Sequence, residues 1–99
     1  MKLVKPSFVL QLKRDAIRNA ANRFAVVNPR VFGSVLHGLD TERSDLDLLL
    51  DPLPGTTLFD LGGLQLELEE LLGVPVDLLT PGDLPKKFRE QVLAEARPV

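Results

Sequence analysis

Ninety-nine residues make one domain, 1–99, with no room for a second. A hydrophobic fraction of 44% and a charged fraction of 26% are ordinary for a globular chain. The absence of cysteine excludes a disulfide scaffold, a cysteine-ligated zinc site and thiol catalysis, and suits a reducing compartment. No apolar run approaches a membrane span, and the one near the start is too short for a signal peptide. The expected location is cytoplasmic, with no membrane partner.

The net charge of -2 is unevenly spread. Residues 1–30 hold seven Lys/Arg against the single acid Asp15, and residues 31–99 hold five against thirteen. A basic first helix on an acidic body reads in two ways, as a lure for a polyanion or as a solvated helix face. The second is preferred, so direct nucleic-acid binding is not expected.

In chain order, the spacing of Phe8, Leu12, Ala16, Ala20 and Phe24 predicts one helix over 7–24, broken by "VNP". Residues 30–32 read as a short strand, and Gly33-Ser34 as the turn out of it into a helical turn. Residues 45–50 read as a second strand, ended by "DPLPG". A second long helix is expected over 57–72, with Thr57 and Asp60 as capping pair and Gly73 and Pro75 as the stop. Gly62 and Gly63 stand inside it, each at a cost of roughly 1 kcal/mol. Residues 76–79 form a third strand, and "TPGDLP" opens a last helix over 85–96 with Phe88 and Val92 turned inward. The order α-β-α-β-α-β-α implies an α/β (α+β) layer, a short mixed sheet of three or more strands flanked by helices.

Two features inside 31–51 point to chemistry. Asp45 and Asp47 stand one residue apart at the mouth of the most apolar run, and alternation along a strand puts both on one face. Two close carboxylates repel unless a cation lies between them, and hard oxygen ligands suit magnesium or manganese. Asp77, in the apolar run "VPVDLL", closes a three-carboxylate cluster if the strands 45–50 and 76–79 are neighbours. The second feature is the Gly33-Ser34 turn. A turn from strand to helix offers backbone N–H groups to an anion, Ser34 adds a hydroxyl, and Gly38 permits tight passage back. A phosphate cradle beside a carboxylate pair is what a nucleoside triphosphate needs. The P-loop lysine is absent, and "DTERSDLD" lacks the glycine and glutamate of an EF-hand loop.

"GSVLHG", "SDLDLLLD" and "VDLL" together resemble the G-S-x-x-x-G … D-x-D … D signature of the polymerase-β-like nucleotidyltransferase superfamily. The small size and the "LQLELEELLGVPVDLLTPGDLP" continuation resemble its minimal, MNT-type branch, whose members pair with a HEPN-domain toxin in toxin–antitoxin systems. The resemblance covers about 14–98. It implies that Asp45, Asp47 and Asp77 bind two magnesium ions, or manganese, with Asp77 nearest the attacking hydroxyl. It implies that Gly33 and Ser34 hold the β- and γ-phosphates of ATP, beside Gly38. The implied reaction is AMP transfer from ATP to a tyrosine of the HEPN-type toxin. One departure stands out. The minimal branch commonly reads G-S-x-A-R-G, and here Leu36 and His37 occupy the last two variable places. A guanidinium fork on phosphate is not matched by an imidazole, so His37 and Arg43 are the candidates to fill that role. The alternative is a weak or inactive nucleotidyltransferase fold that neutralises its toxin by binding alone. So small and leucine-rich a domain is expected to expose an apolar patch, used by the partner or by a homodimer.

Overall fold

The apolar run of the second expected strand becomes the centre of the sheet in a computed structural model, which describes residues 4–99. The elements are α1 (Pro6–Leu12), α2 (Arg14–Arg23), β1 (Val26–Phe32), α3 (Gly33–Leu36), β2 (Leu46–Pro52), α4 (Leu58–Leu72), β3 (Val76–Leu79), a 3-10 turn (Pro81–Asp83), α5 (Lys86–Glu95) and β4 (Arg97–Pro98). The sheet runs β3-β2-β1-β4. β1 is antiparallel to β2 and β4, while β2 and β3 are parallel. A parallel pair needs a crossover, and α4 supplies it. This is the expected mixed sheet flanked by helices.

Leu46, Leu48 and Leu50 alternate onto one face of β2 and are buried with Val31 and Val76. They join Ile17, Ala20 and Ala21 of α2 and Leu64, Leu68 and Leu72 of α4 in one core cluster. Leu49, on the opposite face, is fully buried as well. A strand covered on both faces reads as a continuous apolar run, which is why β2 shows so little alternation. Each such leucine stabilises the fold by about 1.5–3 kcal/mol. α4 starts with the expected capping box, Asp60 N–H to the Thr57 hydroxyl and Thr57 N–H to the Asp60 carboxylate, and stops at Gly73 in the left-handed region. A Cβ at Gly63 would press on the Phe24 ring at 3.0 Å, so the ring would have to give by a few tenths of an ångström; a Cβ at Gly62 meets nothing.

The structure departs from the sequence reading in five places. The helix expected over 7–24 is two helices, broken at Lys13, whose Nζ donates to Leu71 O at 2.7 Å. Each helix then buries its own side: Phe8 and Leu12 are exposed, while Val9, Leu10 and Ile17 are buried. The first strand is longer than expected, because "VNP" lies inside it. The register shifts between Val27 and Arg30, and Asn28 takes a left-handed φ of 56°, tolerable for asparagine. Pro29, which has no N–H to donate, sits at the same irregularity. "TPGDLP" closes a separate 3-10 turn, where Thr80 and Asp83 form a capping box, before α5 begins. Finally, α5 buries no residue fully and Phe88 is half-exposed, so the inward placement of Phe88 was wrong. β4 was not anticipated, since two residues show no pattern.

The basic surplus near the start is largely bound within the molecule. Arg18 donates to Val99 O and Asp15, Arg23 forks onto Glu67, and Arg14 donates to Gln11. Among the described residues no helix is long and apolar enough to cross a membrane.

The glycine pair yields a direct check. Gly62→Ala should raise stability by up to about 1 kcal/mol, the helix-propensity difference, and Gly63→Ala should gain less, because the Phe24 ring must give way. Urea midpoints of the two variants measure this; equal shifts of the same sign would contradict the packing.

Candidate active site

Phe32, the last residue of β1, lies opposite Asp47 of β2, so the chain leaves β1 beside that carboxylate. The next residue, Gly33, has φ 72° and opens α3. A Cβ at Gly33 would collide with the Asp47 carboxylate oxygen, so both conformation and space demand glycine. The first N–H groups of a helix have no partner within it, and α3 has no side-chain cap. Unspent backbone donors and a carboxylate therefore share one small space. Ser34, half-buried, follows on α3.

β2 and β3 are in register with Asp47 beside Asp77. Residues paired on adjacent strands share a face, and neighbouring strands lie about 4.8 Å apart. Asp45 sits just ahead of β2 rather than inside it, because the strand begins at Leu46, but its charge still reaches Asp47. Burial first, then the like charges of Asp77 and Asp45, push the Asp47 carboxyl up to about 6. The loop that delivers Asp45 is tied down: Thr41 N–H donates to Ser44 Oγ at 2.8 Å, and the buried Asp40 accepts the Ser7 N–H at 2.8 Å, anchoring the start of α1.

The donor set fits a hard divalent cation: oxygen ligands only, with a half-buried acid whose charge is opposed by two others. Among the described residues no group of three or more acid or histidine side chains is arranged so that it could hold a metal ion by itself. Asp45 and Asp77 are exposed. Magnesium keeps much of its water and completes its shell with substrate phosphates, so an open half-shell suits it.

The remaining candidates divide. Gly38 turns the chain after α3 with φ 70°. His37 caps the end of α3 and points to α5, its Nε2 3.1 Å from Glu95 Oε2. Arg43 is exposed on the turn before Ser44, and its side chain makes no ion pair or hydrogen bond among the described residues. Glu95 was not singled out from the sequence; it lies 58 residues from His37, and no local spacing reports such a pair.

This arrangement can be set beside known proteins. The nucleotidyltransferase domain family matches residues 13–99. The chain belongs to the nucleotidyltransferase family. A protein of Methanocaldococcus jannaschii provisionally named protein adenylyltransferase MJ0435 is 36% identical over 75% of this chain and 80% of its own length. Protein adenylyltransferase MntA of Thermococcus cleftensis is 38% identical over 74% of this chain and 74% of its own length. A solved structure provisionally described as a minimal nucleotidyltransferase is 45% identical and superposes with a TM-score of 0.84, covering 94% of this chain and 95% of its own. A toxin–antitoxin structure with AMP-PNP shares the fold at a TM-score of 0.64 and 20% identity, over 94% of this chain and 71% of its own. The chain is thus a nucleotidyltransferase with the fold of the minimal branch.

The crowding of Asp47 has a sign that can be measured. Unfolded, its carboxyl ionises near pH 4; folded, it keeps its proton to about pH 6. The folded state binds more protons between those values, so stability falls as pH rises from about 4 to about 6 and then levels off. In the absence of divalent cations, Asp47→Asn should melt higher than wild type above pH 6 and alike near pH 4. A temperature difference independent of pH would contradict the crowding. Gly33→Ala should lower the melting temperature at every pH, because strain and collision act together.

Proposed function

We propose that this nucleotidyltransferase is an antitoxin that moves AMP from ATP to a tyrosine hydroxyl of a HEPN-type partner toxin. The observation that carries the reading is the seat of Asp47: a carboxylate pressed against a glycine-only helix start and flanked by Asp77 and Asp45. A bare anion-binding turn has no use for three acids, and a bare cation site has no use for the helix start. A metal–nucleotide needs both. The names of the Methanocaldococcus and Thermococcus relatives support AMP as the group moved. The toxin–antitoxin assembly that shares the fold supports the partner class.

In this reading Gly33 and Ser34 hold the β- and γ-phosphates by backbone N–H and hydroxyl, and Gly38 lets the chain turn clear of them. Asp45, Asp47 and Asp77 hold Mg²⁺, as two ions, or Mn²⁺. A metal held by these carboxylates would supply stabilisation of the entering and leaving oxygens in an in-line displacement at the α-phosphate. Asp77 lies on the edge strand β3, exposed, where an acceptor hydroxyl arriving from outside the sheet meets it first. Pyrophosphate leaves from the α3 side. The chain has no tyrosine, so a tyrosine acceptor comes from another protein. Leu58 and Phe59, 84% and 92% exposed at the start of α4, and Leu66 at 66% are an apolar surface such a protein can cover.

Intact-mass spectrometry after incubation with ATP and Mg²⁺ tests the chemistry. The chain alone should gain no adenylyl mass on tyrosine. The protein encoded beside it should gain one or more AMP units. Asp45→Asn and Asp47→Asn should abolish that gain, and Ser34→Ala should reduce it less, because the backbone donors remain. No gain with wild type, together with full neutralisation by wild type and Asp47→Asn, would leave neutralisation by contact in its place.

A further inference from the structure

Strand ladders hold Asp47 and Asp77, but not Asp45. Asp45 lies one residue ahead of β2, exposed, and its carboxylate makes no hydrogen bond or ion pair among the described residues. Its place is set by the turn before it. That turn is closed on itself: Thr41 N–H donates to Ser44 Oγ at 2.8 Å, Ser44 N–H to Thr41 O at 3.1 Å, and Arg43 N–H to Thr41 Oγ1 at 3.2 Å. These bonds travel with the turn and do not anchor it. Among the described residues, one hydrogen bond joins residues 40–45 to another part of the chain: Ser7 N–H donates to Asp40 Oδ2 at 2.8 Å, across 33 positions. Asp40 is also the one buried polar or charged residue among those described, at 7% exposure, and it has no cationic partner there. A carboxylate that loses its water needs donors in exchange. The start of α1 supplies one, because the first N–H groups of a helix have no partner within it.

α1 is itself firmly seated. Pro6, Val9 and Leu10 are buried, and Lys13, which closes the helix, donates to Leu71 O at 2.7 Å. Leu71 lies in the last turn of α4, the helix that leads into β3 and Asp77. α1 therefore joins the turn before Asp45 to the helix before Asp77. We propose that Asp40 is a positioning residue: by holding the Ser7 N–H it fastens the 40–45 turn to α1 and keeps Asp45 beside Asp47 for a metal ion. The inference rests on the metal–nucleotide reading of the site. Asp40 touches neither metal nor nucleotide and acts through Asp45. Without the tie, the turn keeps its internal bonds but swings from Leu46, and ordering Asp45 again on metal binding costs conformational entropy. Groups that support a metal ligand in this way change metal affinity by about 10–100-fold.

Two variants separate the tie from the fold. Asp40→Ala removes the acceptor; Asp40→Asn keeps an amide oxygen in its place. Without metal, the Ser7 amide should exchange slowly with solvent in wild type and in Asp40→Asn, and fast in Asp40→Ala. With AMP-PNP present, Mn²⁺ affinity should fall roughly tenfold in Asp40→Ala, and Asp40→Asn should restore most of it. At saturating Mn²⁺–AMP-PNP, the relaxation that Mn²⁺ induces at the Ser44 and Asp45 amides should drop in Asp40→Ala, while that at the Asp47 amide stays. A role confined to stability leaves this ratio unchanged. Asp40→Ser, whose hydroxyl is too short to reach the Ser7 N–H, takes the place of Asp40→Ala if the latter does not fold. Equal Mn²⁺ affinity in wild type and the variant, or a loss with the ratio unchanged, overturns the assignment and leaves the nucleotide site standing. Wild type that binds neither Mn²⁺ nor Mn²⁺–AMP-PNP overturns both, whatever the Ser7 amide shows.

Discussion

The site depends on one electrostatic conflict that the sheet makes unavoidable. Parallel pairing of β2 and β3 sets Asp47 directly beside Asp77, and antiparallel pairing of β1 and β2 brings the Gly33 turn against the same carboxylate. Ladders on both sides hold the backbone of Asp47 in that position. Burial first, then the like charges of Asp77 and Asp45, hold its carboxyl protonated to about pH 6. A cation held there would resolve the conflict, and the unspent N–H groups at the start of α3 would suit an anion accompanying it.

The rest of the molecule keeps that conflict in place. The face of β2 opposite Asp47 carries Leu46, Leu48 and Leu50 into the main core with α2 and α4, so the strand is secured by burial that the site does not touch. α4 holds β2 and β3 in parallel register, and its capping box and left-handed Gly73 set where it begins and ends. The basic residues of α2 also tie elements together. Arg18 reaches Val99 O at 2.6 Å and Arg23 reaches Glu67. Exposed ion pairs of this kind contribute little individually, typically about 0–1 kcal/mol, and their use is to fix which elements lie side by side.

The end of the chain returns to its first strand. β4 pairs with β1, Val99 N–H donates to Pro29 O at 3.0 Å, and α5 brings Glu95 to the far end of α3. The short helix that begins at the carboxylates is thereby gripped at both ends, by Asp47 against Gly33 and by Glu95 against His37. A helix of one turn has almost no stability of its own. Its position is set by what touches it.

Much of the site was legible because its signals are local. Gly33 and Gly38 hold left-handed φ values that other residues rarely adopt, and a glycine at a strand end reads as a turn without reference to the fold. The D-x-D spacing draws attention to Asp45 and Asp47, and the strong apolar run after them announces a central strand, although Asp45 falls just ahead of it. Thr57, Asp60 and Gly73 mark α4 because caps are satisfied within a few residues. The break at Lys13, the Asn28–Pro29 irregularity inside β1 and the two-residue β4 were not legible, because each is decided by a partner distant in sequence. Lys13 finds Leu71, β1 finds β2, and β4 finds β1. The exposure of Phe88 followed from where α5 lies on the sheet, which its own periodicity does not state. By itself, the sequence determined which residues could turn, cap and alternate, since those are properties of neighbours along the backbone. Only the tertiary structure decided that Asp77 stands beside Asp47 and that Glu95 meets His37, since a strand register and a helix crossing depend on surfaces assembled from the whole chain.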